Sequence, residues 1–235
     1  MMLRCPQHRG FTVVEMTMGL VVLAMIMLAI AGIMTAVAQA WTDQEMNQST
    51  QIQANQIYAR VQHILSAAKY VAQYNPGSLT GNPAGSIFFW RADDYPASPN
   101  DETVQAGEMA LIVQDPTTST LWLYEAMPYT QMTPAQYAAA GQVYPWSYWT
   151  TPSTVAAFKT SNFLTAQPVP LGGPGNLSNP GNYLQITGAQ FYVYSLAGAS
   201  QLPVIEFALA FSRNNQSLNL YSSTTLRGPS TQPSP

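Results

Sequence analysis

Between Glu15 and Asp43 the chain runs for 27 residues without a charge. Roughly 20 apolar residues suffice to cross the hydrocarbon core of a bilayer, so this one segment predicts a membrane-spanning helix. The apolar run opens at Phe11 and reaches about Ala40, and Trp41 stands where an interfacial aromatic anchor is expected. Before it, Met1 to Gly10 carry Arg4, His8 and Arg9 and no acid. Basic residues ahead of a span predict a cytoplasmic N-terminus, which sends the rest of the chain outward. With 235 residues in all, that remainder is large enough for one sizeable head domain and too short for two.

Glu15 is the anomaly in this segment. A carboxylate near the start of a membrane helix is costly unless it is paired, protonated or shielded. Cleavage after Gly10 would give Phe11 a free α-amino group, and that cation could neutralise Glu15 of a neighbouring chain. Pairing within one chain is the alternative, because the first turn of a helix leaves amide donors unsatisfied and favours an acid nearby.

The run Arg9-Gly10-Phe11-Thr12-Val13-Val14-Glu15-Met16 resembles the prepilin cleavage and methylation motif of type IV pilin-like proteins. The resemblance covers roughly the first 40 residues. It implies that a membrane prepilin peptidase cuts after Gly10, that Phe11 becomes the N-methylated terminus, and that Glu15 guides docking of subunits during assembly. It further implies other pilin or pseudopilin subunits and an inner-membrane assembly platform as partners. The expected course is single-pass insertion in the inner membrane, with a cytoplasmic leader and an extracytoplasmic head, and then entry into a pilus or a type II secretion pseudopilus. An ordinary secretory signal cut after Ala38-Gln39-Ala40 competes with this, as does a plain anchor. The apolar run is longer than the roughly 7–15 residues of a secretory core, and an acid has no role at the start of one.

No proline interrupts Phe11 to Asn75. Ala54, Ile57, Tyr58, Val61, Ile64, Leu65, Ala68, Val71 and Ala72 follow helical spacing, and Asn75-Pro76-Gly77 supplies a stop. A helix from Phe11 to about Tyr74 would be roughly 95 Å long, so its outer half must pack on the head. Asp43 to Gln53 is rich in Gln, Asn, Ser and Thr and reads as a solvated neck. Gly19 and Gly32 permit close helix approach inside the span, or are tolerated lipid-facing positions. The span lacks the proline that many major pilins carry, a departure that favours a minor subunit.

Beyond the stop, strand-like segments fall at Ile87–Trp90, Met109–Val113, Leu121–Glu125, Tyr183–Thr187, Gln190–Tyr194, Val204–Phe211 and Leu218–Leu226. Phe207, Leu209 and Phe211 alternate with Glu206, Ala208 and Ala210, as in a sheet with one buried face. Asp115-Pro116-Thr117 and Arg213-Asn214-Asn215-Gln216 read as hairpin turns. The expected fold is α+β, a long N-terminal helix packed on an antiparallel head, pilin-like. The expected domains are a leader (1–10), a transmembrane helix (11–40), an amphipathic helix (41–75), a β-rich head (76–227) and a disordered tail (228–235). The stretch from Leu218 to Arg227 also resembles the last strand of the larger minor pilins and of the minor pseudopilin J of type II secretion.

Residues 128–180 are rich in Pro and Gly and read as an inserted loop region. Its run Tyr144-Pro145-Trp146-Ser147-Tyr148-Trp149 is either a satellite core or a binding surface. The first reading suits a structural subunit, the second an adhesin that uses pilin export.

Chemistry is sparse. After Gly10 the chain has one histidine, His63, and no cysteine, so His-containing triads and Cys/His metal sites lack their parts. With Cys5 the sole cysteine, no intramolecular disulfide forms. Gly172-Gly173-Pro174-Gly175 lacks the lysine of a phosphate loop. Asp93, Asp94, Asp101 and Glu102 offer oxygens of the kind calcium takes, but their spacing matches no EF-hand and reads as a solvated acidic loop. Charged residues are 8% of the chain and the net charge is −3. Without a basic patch, nucleic-acid binding is excluded. Neither an enzyme nor a cofactor site is expected. The size of the head favours a minor component, because a bulky irregular head packs poorly in a tight helical array.

Overall fold

The computed structural model describes residues 12–91, 94–97, 103–166, 168–174, 183–194, 203–213 and 216–226. The chain is α+β and divides into two compact units after Ser49. Helix α1, Val13–Ala67, supplies all of the first unit's described secondary structure and the first element of the second.

Helix α1 ends seven residues before the expected stop at Tyr74. Ala68 closes the last turn by donating to the Leu65 carbonyl at 3.1 Å, and Lys69 N then donates to the Trp90 carbonyl at 2.8 Å. Tyr70–Asn75 is strand β1, paired antiparallel with β3, Ser86–Trp90. Val71 and Ala72 therefore do not extend the helical face. Val71 packs into one core, while Tyr70 and Ala72 pack into another, the period-2 alternation of a strand. Over a segment this short, helical and strand spacings overlap, and the neighbouring strand decides between them.

The head contains two antiparallel sheets. The first has the order β1-β3-β4-β5-β6, with β4 at Met109–Asp115, β5 at Thr120–Tyr124 and β6 at Val169–Gly172. The second joins β2 (Gly77–Ser78), β7 (Gln185–Tyr194), β8 (Val204–Arg213) and β9 (Gln216–Thr225) in the order β2-β7-β8-β9. The expected strands at Tyr183–Thr187 and Gln190–Tyr194 are one continuous strand, with a register shift between Ile186 and Gly188. The Asp115 turn links β4 to β5 as expected. Arg213 pairs with Gln216, while Asn214 and Asn215 lie outside the described residues.

Two cores result. Ala54, Val61 and Leu65 of α1 pack with Ile87, Phe89, Ile112 and Leu121 of the first sheet and with Phe191, Phe207, Leu209 and Phe211 of the second. The other side of the first sheet, through Phe88, Trp90, Met109 and Leu111, meets Trp146, Trp149, Phe158 and Phe163. A sheet covered on both faces reads as continuous apolar runs, as Ile87–Trp90 and Met109–Val113 do.

The described residues of 128–180 are accordingly not a loop. They hold α2 (Pro134–Ala140), α3 (Trp146–Trp149), α4 (Pro152–Lys159) and β6. Thr133 and Gln136 form a capping box ahead of α2 with Pro134 in its first turn. Such short, proline-started helices have the composition of loops. The aromatic run is the satellite core: Trp146 and Trp149 are buried, Tyr144 and Tyr148 stack at 4.3 Å, and Phe88 lies 6.0 Å from Trp149.

Candidate functional site at the start of the long helix

The expected processing residues, Gly10 and Phe11, lie outside the described residues, and Glu15 stands in the first turn of α1. Its Oε2 accepts from Thr12 N and from Thr12 Oγ1, both at 2.9 Å, and Glu15 N donates back to Thr12 Oγ1 at 3.3 Å. This is a capping box, which satisfies amide donors that a helix start leaves open. The intrachain pairing weighed above therefore exists, and Thr12 is its partner. Sequence reasoning passed over Thr12, although Thr-x-x-Glu ahead of an apolar run is the signature of such a cap.

Glu15 retains accepting capacity. Its Oε1 has no hydrogen bond among the described residues. The threonine hydroxyls of the apolar run are satisfied locally: Thr17 Oγ1 donates to the Val14 carbonyl at 2.9 Å, Thr35 to Ala31 at 2.8 Å and Thr42 to Ala38 at 2.9 Å. Against that background one carboxylate oxygen has no donor among the described residues, and an apolar environment makes a donor there valuable.

The helix around it is apolar on every side. Leu20, Val21, Val22 and Leu23 follow in succession, so no polar stripe separates them. The large side chains from Val13 to Val37 range from 47% exposed at Ile30 to 78% at Val13 and Leu28. By length and composition this stretch can cross a membrane. Exposed apolar surface of this extent requires lipid or protein around it. A Cβ built on Gly19 or Gly32 meets nothing within 4 Å, so neither is required by packing in this chain.

Of the four acidic residues singled out in the sequence, Asp94 is described. Asp94 lies 3.9 Å from Arg91, whose other guanidinium nitrogen holds Glu125 at 2.8 Å; Asp93, Asp101 and Glu102 lie outside the described residues. Among the described residues no group of three or more His, Cys, Asp or Glu is placed to hold a metal ion. His63 is exposed on α1. Gly173 sits at φ +100° in the turn after β6, where a Cβ would come within 2.5 Å of the Ser119 carbonyl oxygen. That glycine-rich run therefore serves close backbone packing.

A polar hub went unnoticed in the sequence. Glu108 is fully buried, and its carboxyl group accepts from Trp90 Nε1 at 3.1 Å, Tyr95 N at 2.9 Å and Gln105 N at 3.2 Å. Its signal, Gln105-x-x-Glu108, is the same capping pattern in a short helical turn.

No family model, no curated protein and no solved structure matches this chain.

Proposed function

We propose that the chain is a type IV pilin-like structural subunit, a minor component of a pilus or of a type II secretion pseudopilus. It is inserted in the inner membrane, cut by prepilin peptidase after Gly10, N-methylated at Phe11 and assembled through α1. In this reading it is a building block and not a catalyst. The observation that carries the proposal is an apolar helix exposed on all sides with one acid in its first turn, Glu15, whose second oxygen is uncommitted among the described residues. Lipid covers such a helix before assembly and the helices of neighbouring subunits cover it afterwards. A new α-ammonium group on Phe11 of a neighbour supplies the donor that Glu15 can still accept. The outer half of α1, packed on antiparallel strands, suits a pilin-like head.

Intact-mass analysis of the protein from its native host tests the processing step. A chain beginning at N-methylated Phe11 supports the proposal; one beginning at Trp41 ends it, because the apolar helix would be absent from the mature protein. Glu15→Gln separates the two uses of the acid. Glutamine serves in a capping box as glutamate does but carries no charge to pair with an ammonium group. Cleavage of this variant should proceed and its incorporation should fail. Normal incorporation would leave Glu15 as a cap alone.

A further inference from the structure

The face of β7-β8-β9 turned away from the core carries the carboxylate of Glu206, without a cation partner among the described residues, in a group of tyrosines. Strand register aligns Tyr192, Glu206 and Ser223 in one row and Gln190, Ala208 and Tyr221 in the next. Together they line a cavity of about 400 Å3. Tyr192, Tyr194 and Tyr221 are 38%, 47% and 66% exposed, and the rings of Tyr192 and Tyr194 stack at 6.4 Å. Ala208 lies between Gln190 and Tyr221 and is too small to fill the space between the rings. Desolvation, the adjacent Glu206 charge and a hydrogen bond to its carboxylate hold the Tyr194 phenol above its ordinary pKa.

Glu206 has no cation beside it among the described residues, and three cations of the head are engaged elsewhere. Lys69 lies over the Trp90 ring at 4.7 Å, Lys159 over Tyr124 at 5.6 Å, and Arg91 holds Glu125 at 2.8 Å. An anion is repelled here, and an apolar occupant would desolvate Glu206 without pairing it. A cation is favoured twice, by the carboxylate and by the negative faces of the rings. A planar guanidinium can stack on a tyrosine while its N–H fork meets the carboxylate, which an ammonium group cannot do. Tyrosines flanking a small floor also make an interface anchor point.

We infer that this face is a docking site for an arginine side chain of a partner protein. Tyr192 and Tyr221 flank the guanidinium and Glu206 accepts its N–H groups. The inference rests on the head alone and holds however the N-terminus is processed.

The test uses the full chain in detergent micelles with 13C-labelled tyrosine rings, titrated with the peptide acetyl-Gly-Arg-Gly-amide. Ring resonances of Tyr192, Tyr194 and Tyr221 should shift, with a Kd on the order of millimolar for one side chain. The citrulline peptide, isosteric but neutral, should bind about tenfold more weakly, and Glu206→Gln should weaken the arginine peptide by a similar factor. Glu206 is exposed, and unchanged resonances of Tyr95 and Tyr129 in the variant establish that the fold is intact. An equal response to the citrulline peptide, an unaltered affinity in Glu206→Gln, or silent rings at about ten times that concentration overturns the inference. Shifts that follow protein concentration without peptide also overturn it, because the occupant would then be a second copy of this chain.

Discussion

Replacing Glu108 by alanine should be among the most destabilising single changes in the head. The wild-type carboxyl group takes three N–H donors, from Trp90 Nε1, Tyr95 N and Gln105 N. It does so at a site with no solvent access, where Glu108 and Gln105 are 0% and 1% exposed. Alanine leaves those donors without their acceptor, in a space a methyl group does not fill. A buried unsatisfied donor costs about 1–3 kcal/mol, so the loss is about 3 kcal/mol at the low end and larger if little relaxation occurs. Glu108→Gln keeps the volume but has one accepting oxygen in place of two. Oε2 takes the Trp90 and Gln105 donors and Oε1 takes Tyr95, so the amide nitrogen must face at least one donor. Its loss should be intermediate, about 1–3 kcal/mol. Urea unfolding of the full chain in detergent, followed by tryptophan fluorescence, measures both. Wild type should exceed Gln, and Gln should exceed Ala, with unchanged denaturant slopes. An alanine variant within about 1 kcal/mol of wild type would refute the reasoning, since water must then reach the three donors.

Other changes probe other parts of the head. A Cβ on Gly85 would lie 2.1 Å from the Ala189 carbonyl oxygen, a backbone atom that cannot swing aside, so Gly85→Ala should cost at least about 2 kcal/mol in the same unfolding assay. Trp149→Ala should cost about 3–5 kcal/mol, because the ring is 2% exposed and packs with Phe88 and Tyr144; deleting 128–180 should leave no cooperatively folded head, as judged by loss of the near-UV circular dichroism. Burial tends to raise the pKa of Asp115, but hydrogen bonds from Thr118 Oγ1 at 2.8 Å and Thr117 N at 2.9 Å outweigh it and hold the carboxyl below its ordinary range. The stability this adds is present above the unfolded value of about 3.9 and is lost as pH falls through the folded value. The difference between wild type and Asp115→Ala in urea midpoint should therefore narrow below about pH 4, and a difference constant from pH 6 to about pH 2 would contradict it.

Particular residues show why some elements were legible and others not. The alternation of Phe207, Leu209 and Phe211 identified β8 and its buried face, because a sheet with one wet face displays its period directly. β6, Val169–Gly172, carries Pro170 and is too short to display any period. Helices of four to eight residues such as α3, which follows Pro145, and α4, which begins at Pro152, pass for loop. At the candidate site, the neutral run and Glu15 were evident, whereas Thr12 was overlooked despite its recognisable spacing. The cation-attracting face was hidden: Tyr192, Glu206 and Tyr221 are distant in sequence, and only strand pairing makes them neighbours.

By itself the sequence determined the apolar helix, its lone acid and the antiparallel character of the head, because hydrophobic length and periodicity are local properties that survive without knowledge of partners. Tertiary structure decided where α1 ends, since the backbone groups of Tyr70–Asn75 bond to Ser86–Trp90 in preference to another helical turn. It also decided that the aromatic run of residues 144–149 is core and that Glu108 is buried. Those outcomes depend on which segments meet across long stretches of chain, and burial of a ring or a carboxyl group is a property of that meeting and of no single segment.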